Sequence, residues 1–414
     1  MGQPTVSVIV VSRARPDALR RCLTGVAQLQ YGNYEVVVVA CPKGIAVARG
    51  MDRLPEIKTV LYDTANISVA RNLGIAHAAG EIVAFIDDDA VPEPQWLRYL
   101  IEPAIRSDVA VMSGYVRGRN GISFQYKART LDEYGAVHTI EIDPRQATVL
   151  TPPTGRAIKT EGTNMAFRRD VLVSIEGFDP AFRFFLDETD VNMRLARAGC
   201  ATALVPLAQV HHGFAASATR RQDRTPRDLY EIGASWAVFQ RKHIAEIDHA
   251  GHWQKIIGSE RRRLLSHMVD GRLEPRDVRR IMKRLVAGYE EGRTRALGGA
   301  VVPRHAVEPF QPVQHAPRKS EFTALKGWRG TSAISAAAKR VSEGSIETVL
   351  VVSRTTLFHQ VMFNEQGVWV QRGGLFGRSD RRGPLFVMTT LKRRAARERA
   401  RIAAVRGLEP ARGR

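Results

Sequence analysis

The strongest constraint on this chain is the alternation, over its first 215 residues, of short β-branched runs with helical segments. Residues 6–11 (VSVIVV) and 34–39 (YEVVVV) are compact apolar runs beside turn-forming residues, the pattern of strands buried on both faces. Between them residues 16–30 read as a helix. Residues 60–62 follow as a short strand, 69–79 as a helix closed by Gly80, and 81–86 (EIVAFI) as another buried strand. The alternation continues with a helix over 96–106, a strand over 109–116, a strand over 164–167, helices over 169–175 and 187–198, and a strand over 201–205. Such an order predicts an α/β fold, a mainly parallel sheet flanked by helices. Residues 117–159 are rich in Gly, Pro and charge, and read as an insertion or mobile loop.

Charge divides the chain. Residues 1–215 hold 23 basic and 23 acidic side chains, so the whole net charge of +20 lies in 216–414. Beyond residue 225 the sequence turns to Arg-rich helices (226–243, 252–269 and 275–293), then a Gly-, Pro- and His-containing stretch, then β-like runs at 348–352 and 367–371 and a final helix at 391–405. The expected division is 1–224 as the α/β domain, 225–297 as a basic helical region, 298–317 as a linker, and 318–414 as a small, basic, β-containing region. Three dispersed cysteines, Cys22, Cys41 and Cys200, suggest neither a disulfide framework nor a thiolate metal site, and fit a reducing cytoplasm. The apolar run at 6–11 is too short for the core of a signal peptide, and no stretch has the roughly 18 uninterrupted apolar residues of a spanning helix.

At residues 85–89 (FIDDD) an apolar strand stops at three consecutive carboxylates. Open α/β sheets bind ligands at such strand ends. Adjacent acids repel one another; a solvated turn relieves this, and so does a hard divalent cation, with Mg²⁺ typically taking one or two carboxylates plus phosphate oxygens.

The companions of this turn resemble the family 2 glycosyltransferases, whose GT-A fold binds nucleotide sugars. Residues 6–16 (VSVIVVSRARP) are similar to the family's first strand and turn, 69–75 (VARNLGI) to its ARNxG helix, 85–96 to its FxDDDxxPxxxW segment, and 164–169 with Gly177-Phe178-Asp179 to its acceptor side. The match spans about residues 5–215, in order. It implies Mg²⁺ or Mn²⁺ held by Asp87 and Asp89, Asp88 near the donor's ribose or sugar, and Arg71 near its phosphates or sugar. The segment 187–190 (DETD) stands where relatives carry an acidic motif with the catalytic base. Glu188 aligns with that base, Asp187 is its rival, and Asp190 is assigned to the acceptor or the helix. Of His211 and His212, His211 aligns slightly better with a histidine near the metal. Where relatives have a base-pairing aspartate this chain has Ala40, leaving Asp63 or a backbone carbonyl to replace it. The implied partners are a nucleotide-diphosphate sugar and a glycan or lipid-linked acceptor, with inversion by a carboxylate base.

Residues 378–414 carry twelve basic and three acidic side chains, much of the excess on the final helix. An anionic membrane surface is the functional partner favoured for it, placing the protein peripherally at the inner face. No motif beyond charge specifies nucleic acid. Residues 355–378 are patterned as folded, to close over the acceptor or to join copies in a homo-oligomer. The competing reading is a catalytically silent, membrane-associated scaffold or partner of an active transferase, favoured by Ala40 and opposed by the intact acids.

Overall fold

The structure is a computed structural model that describes residues 3–106, 109–213, 215–298, 300–314 and 317–409. The expected α/β architecture is present. A large sheet contains β1 (Val6–Ser12), β2 (Tyr34–Ala40), β3 (Lys58–Leu61), β4 (Ile82–Asp87), β5 (Ala90–Pro92) and β6 (Val111–Arg117). β1 runs parallel to β2 and β4, and β2 runs parallel to β3.

Side chains alternate across these strands because successive residues point to opposite faces. Val8, Val10, Val36, Val38, Ala84 and Ile86 pack on one face with helices α1 (Pro16–Val26), α2 (Pro42–Arg49) and, after α3 (Ile67–His77), α4 (Trp96–Arg106). Ile9, Val37, Val39, Val83 and Phe85 pack on the other face with α3 and with α5 (Arg169–Ser174) and α6 (Asp187–Arg197). The strands are buried on both sides, which is why they read as continuous apolar runs.

Residues 117–159 correct the expected loop. They form β7 (Phe124–Tyr126), β8 (Arg129–Asp132), β9 (Val137–Thr139), β10 (Thr148–Leu150) and β11 (Arg156–Ile158). β8, β9 and β11 make a separate antiparallel sheet, while β7 and β10 join the large one. Three- and four-residue strands are too short to show a period. β12 (Met165–Arg168) lies antiparallel between β4 and β6, and β13 (Thr202–His212) pairs with β6, β5 and β10. β13 passes the expected end at residue 205 because a shift of register between Val205 and Gln209 accommodates Pro206.

Helices α7 (Tyr230–His243), α8 (His249–Val269) and α9 (Pro275–Gly292) follow, at nearly the expected positions. The stretch at 298–317 has no regular structure where described, yet it straps the sheet: Val313 donates its N–H to the Tyr34 carbonyl at 2.8 Å, and Arg169 binds the carbonyls of Pro303 and Arg304. The last region is a four-stranded sheet of β14 (Ser320–Lys326), β15 (Ile346–Ser353), β16 (Gln360–Phe363) and β17 (Trp369–Gly374), with α10 (Gly330–Ser342) connecting β14 to β15 and α11 (Leu391–Arg406) at the end.

α7 and α9 cross with their backbones in contact at Gly233, Gly288 and Gly292. A Cβ on Gly288 would penetrate the Tyr230 carbonyl, and one on Gly233 the Leu285 carbonyl. Neither carbonyl can yield without moving its helix. Gly288→Val is expected to cost about 1–3 kcal/mol or more through overpacking, read as a lower urea midpoint, whereas Gly271→Asn, with nothing within 4 Å of its Cβ and a left-handed φ of +70° that Asn tolerates, is expected to cost far less.

Candidate active site

β4 ends at Asp87, and the turn that follows brings β5 back to pair with the last residues of β13: Val91 lies opposite His211 and Ala90 opposite His212. Three carboxylates therefore meet the end of a strand carrying two histidines. Each acid has a positively charged partner, and Asp88 and Asp89 share one. Asp87 faces the Arg71 guanidinium at 3.6 Å. Asp88, fully buried, accepts from Ser12 Oγ at 2.7 Å and pairs with Arg15 at 2.6 Å. Burial lifts its carboxyl to about 7, against the pull of Arg15. Asp89 takes His212 Nε2 at 3.2 Å, Arg15 at 3.3 Å and the Ala215 N–H at 2.8 Å. Burial would raise its pKa, but the hydrogen bond and charge of His212 and the charge of Arg15 outweigh that and hold it below the ordinary carboxylate range.

One ligand atom from each of Asp87, Asp89 and His212 lies within 4.8 Å of the other two. Two hard oxygens suit Mg²⁺ or Mn²⁺, and the imidazole nitrogen is better matched to a first-row ion such as Mn²⁺ than to Mg²⁺, which favours oxygen ligands. The expected ligand His211 is not in this group. Adjacent strand residues point to opposite faces, and the His211 ring lies instead against Trp369, 4.8 Å between centroids, with its Nε2 2.7 Å from Glu93. Burial takes its pKa down to about 4, so near neutral pH it is an uncharged donor to Glu93.

Beside the cluster opens a cleft of about 500 Å³, lined by Asp87, Ser12 and Arg15, by the apolar Val11, Val39 and Tyr62, and by Ser217 and Thr219. Ala14, in the turn after β1, lines it with a left-handed φ of +59°, an arrangement a non-glycine residue adopts only where the surroundings enforce it. Asp88 and Asp63 are not among the lining residues. Asp63 stands behind Arg13, accepting from its Nε at 3.2 Å through the carboxylate and at 3.0 Å through the carbonyl.

Arg71 is nearly inaccessible. It pairs with Asp187 as well as Asp87, and its guanidinium lies 5.2 Å from the centre of the Phe178 ring. It thus ties the end of β4 to the start of α6 rather than facing open space. Phe185 and Leu186, both left-handed with φ of +73° and +65°, turn the chain into α6 and set Asp187 and Glu188 on its first turn. Burial pushes the Asp187 carboxyl up despite Arg71. Glu188 goes the other way: the charge and hydrogen bond of Lys159, 2.8 Å from its Oε1, overcome burial and hold it below the usual range. Lys159 is one of a row of alternating charges running on to Glu161 and Arg129. Asp190 is buried among Arg194, Lys242 and His243, all at 2.8 Å, and so locks α6 to α7.

Sequence reading missed Ser12, Arg15 and Lys159. Arg15 lies in the matched first turn, but its partners become visible only when β1 and β4 are adjacent. Lys159 fell in the segment taken for a loop. Glu93 and Arg406 were missed for a similar reason, 313 residues apart in sequence. Arg406 on α11 forms a double hydrogen bond to Glu93 at 2.8 and 3.0 Å, both side chains 1% exposed, and its guanidinium lies over Trp369 at 4.2 Å.

Residues 4–231 match the family model described as glycosyltransferase like family 2. The chain belongs to glycosyltransferase family 2. The chain is 26% identical over 259 residues to the O-antigen biosynthesis protein RfbC of Myxococcus xanthus, covering 58% of this chain and 19% of that protein. It is also 26% identical over 188 residues to the glucosyl-dolichyl phosphate glucuronosyltransferase of Haloferax volcanii, covering 42% and 56%. It therefore spans well under two thirds of either relative. A solved structure of GalNAc-T7 with UDP, GalNAc and Mn²⁺ matches with a TM-score of 0.43 and 14% identity, covering 57% of this family 2 chain and 48% of that one.

Removing Arg406 would leave Glu93 as an uncompensated buried charge. Arg406→Met is expected to cost about 3–5 kcal/mol in urea unfolding. The double replacement Arg406→Met with Glu93→Gln is expected to recover part of that loss, and equal loss in both would deny the pairing.

Proposed function

We propose that the chain transfers a sugar from a nucleotide-diphosphate sugar to a hydroxyl of a glycan or lipid-linked acceptor, with inversion at the anomeric carbon. The observation that carries this reading is the convergence of Asp87, Asp89 and His212 beside a nucleotide-sized cleft at the strand ends of a family 2 domain. The names of the two relatives, one in O-antigen biosynthesis and one acting on a dolichyl phosphate, support the acceptor class.

Mg²⁺ or Mn²⁺ held by Asp87, Asp89 and His212 would offset the negative charge that grows on the departing nucleoside diphosphate. Arg15 holds Asp88 and Asp89 in place from the cleft lining, and the apolar lining residues Val11, Val39 and Tyr62 receive the nucleobase. Ala40 is buried and brings no side-chain acceptor, so base recognition rests on shape and backbone groups.

Glu188 is the base. As the acceptor oxygen bonds to the anomeric carbon, its proton passes to the Glu188 carboxylate, which Lys159 keeps ionised and oriented. Asp187 serves by fixing Arg71, and through it Asp87.

Proton NMR of the first-formed product is expected to show the anomeric configuration opposite to the donor's; retention would reject the mechanism. Glu188→Gln is expected to lower kcat by about 10²–10⁴-fold with donor KM little changed, since the base acts only in the transition state. A pH profile separates Lys159 from a purely structural role. The base works ionised, so rate falls as pH drops through its pKa. Deleting the adjacent cation raises that pKa, and Lys159→Met should move the acid limb of kcat/KM to higher pH, whereas a merely unfolded fraction would scale the curve without shifting it.

A further inference from the structure

In the C-terminal sheet β14, β15 and β17 run parallel, so they all end at one edge, at Lys326, Ser353 and Gly374. Two loops leave that edge, residues 354–359 and 375–390, and they bind each other. Phe376 N–H donates to the Thr355 carbonyl at 3.1 Å, His359 N–H to the Arg378 carbonyl at 3.1 Å, and Val387 N–H to the Phe376 carbonyl at 3.0 Å. The result is a shaped surface rather than two independent strands of coil.

This surface is unusual in what it leaves in water. Leu357 is 64% exposed, Leu385 63%, Phe386 53% and Met388 79%, all within the two loops. Around them stand Arg354, Arg381, Arg382, Lys392 and Arg393, all exposed, and the guanidinium groups of Arg378 and Arg381 lie 4.6 and 4.9 Å from the Phe358 ring centre. Asp380 is the sole acid in residues 354–359 and 375–393. Large apolar groups exposed together mark an interaction site, and their basic surround says what it meets.

We infer that this edge docks on an anionic lipid bilayer. Leucine, methionine and phenylalanine enter the acyl boundary while the surrounding cations meet the lipid phosphates. A second copy of the same face would oppose cation to cation. A nucleic acid would use the charges and stack on aromatic rings, but gains little from exposed Leu357, Leu385 and Met388. The surface also relocates the charge that the sequence assigns to the final helix as a whole. Arg394 and Arg406 are buried, and Arg401 is paired with Glu398. Among the described residues, the loops and the first two turns of α11, through exposed Arg397, present the basic face; Arg412 and Arg414 of the tail lie outside them. No helix among the described residues is long and apolar enough to cross a membrane. Side chains on such loops reach only the interfacial layer.

The test is flotation of the whole chain with vesicles of phosphatidylcholine alone and of phosphatidylcholine with one quarter phosphatidylglycerol, at physiological salt. Wild type is expected to float with the anionic vesicles and not the neutral ones. Arg381→Gln with Arg382→Gln and Lys392→Gln should weaken the partition about 100-fold, and Leu385→Ser with Phe386→Ser and Met388→Ser more than about tenfold. All six side chains except Phe386, Leu385 and Met388 are polar, and all six are exposed, so the fold tolerates both sets. Arg261→Gln with Arg262→Gln and Arg279→Gln, on α8 and α9, removes the same charge elsewhere and is expected to change nothing. The proposal is overturned if wild type fails to float, if the serine set floats like wild type, if the α8–α9 set loses as much as the loop set, or if the chain binds single-stranded RNA in place of the vesicles.

Discussion

Three carboxylates in succession at the end of a buried strand repel one another, and the site is organised around the partners they receive, Arg15 being shared by two of them. Asp87 has Arg71, Asp88 has Arg15 and Ser12, and Asp89 has His212, Arg15 and the Ala215 N–H. Those partners come from five places: the end of β1, the turn after it, helix α3, the end of β13 and the segment beyond it. The acids thus hold these elements in register, and the cleft is the space left between them. Because Arg71 also engages Asp187, the same charges set the start of α6, where Glu188 stands. A substitution at Arg71 would disturb both halves of the site, so its kinetic effect alone would not identify a donor contact.

The second support comes from the far end of the chain. Glu93 lies four residues beyond Asp89, and Arg406 and Trp369 from the C-terminal region close over it and over His211. A buried pair of this kind gains stability only when both charges are present. It fixes the β5–β13 pairing that carries His212, so the C-terminal region is mechanically part of that strand pair as well as the bearer of the basic edge.

Much of this was legible in the sequence, for identifiable reasons. Strands buried on both faces read as apolar runs, and the helices between them stop within three residues of Gly80 and Gly199, so the α/β order and the DDD turn stood out. The acidic start of α6 was equally plain from its spacing to Arg194. What was hidden depended on contacts distant in sequence or on short elements. Strands of three or four residues, β7 to β11, have no period to detect, and Lys159 was lost with them. His211 and His212 differ only in which face of β13 they occupy, and that parity depends on the bulge at 205–209, which a linear reading cannot count. Glu93 meets Arg406 only after the C-terminal sheet has docked.

The parity of those two histidines offers the sharpest test of the central claim that Asp87, Asp89 and His212 form the cation site. Mn²⁺ binding measured by electron paramagnetic resonance, in the presence of a nucleoside diphosphate, would compare His212→Ala with His211→Phe in otherwise intact protein. Loss of a ligand typically weakens a site far more than loss of a neighbour, and the account requires His212→Ala to weaken Mn²⁺ by at least about tenfold while His211→Phe leaves it near wild type. Equal affinities in wild type and His212→Ala, or a selective loss in His211→Phe, would contradict it.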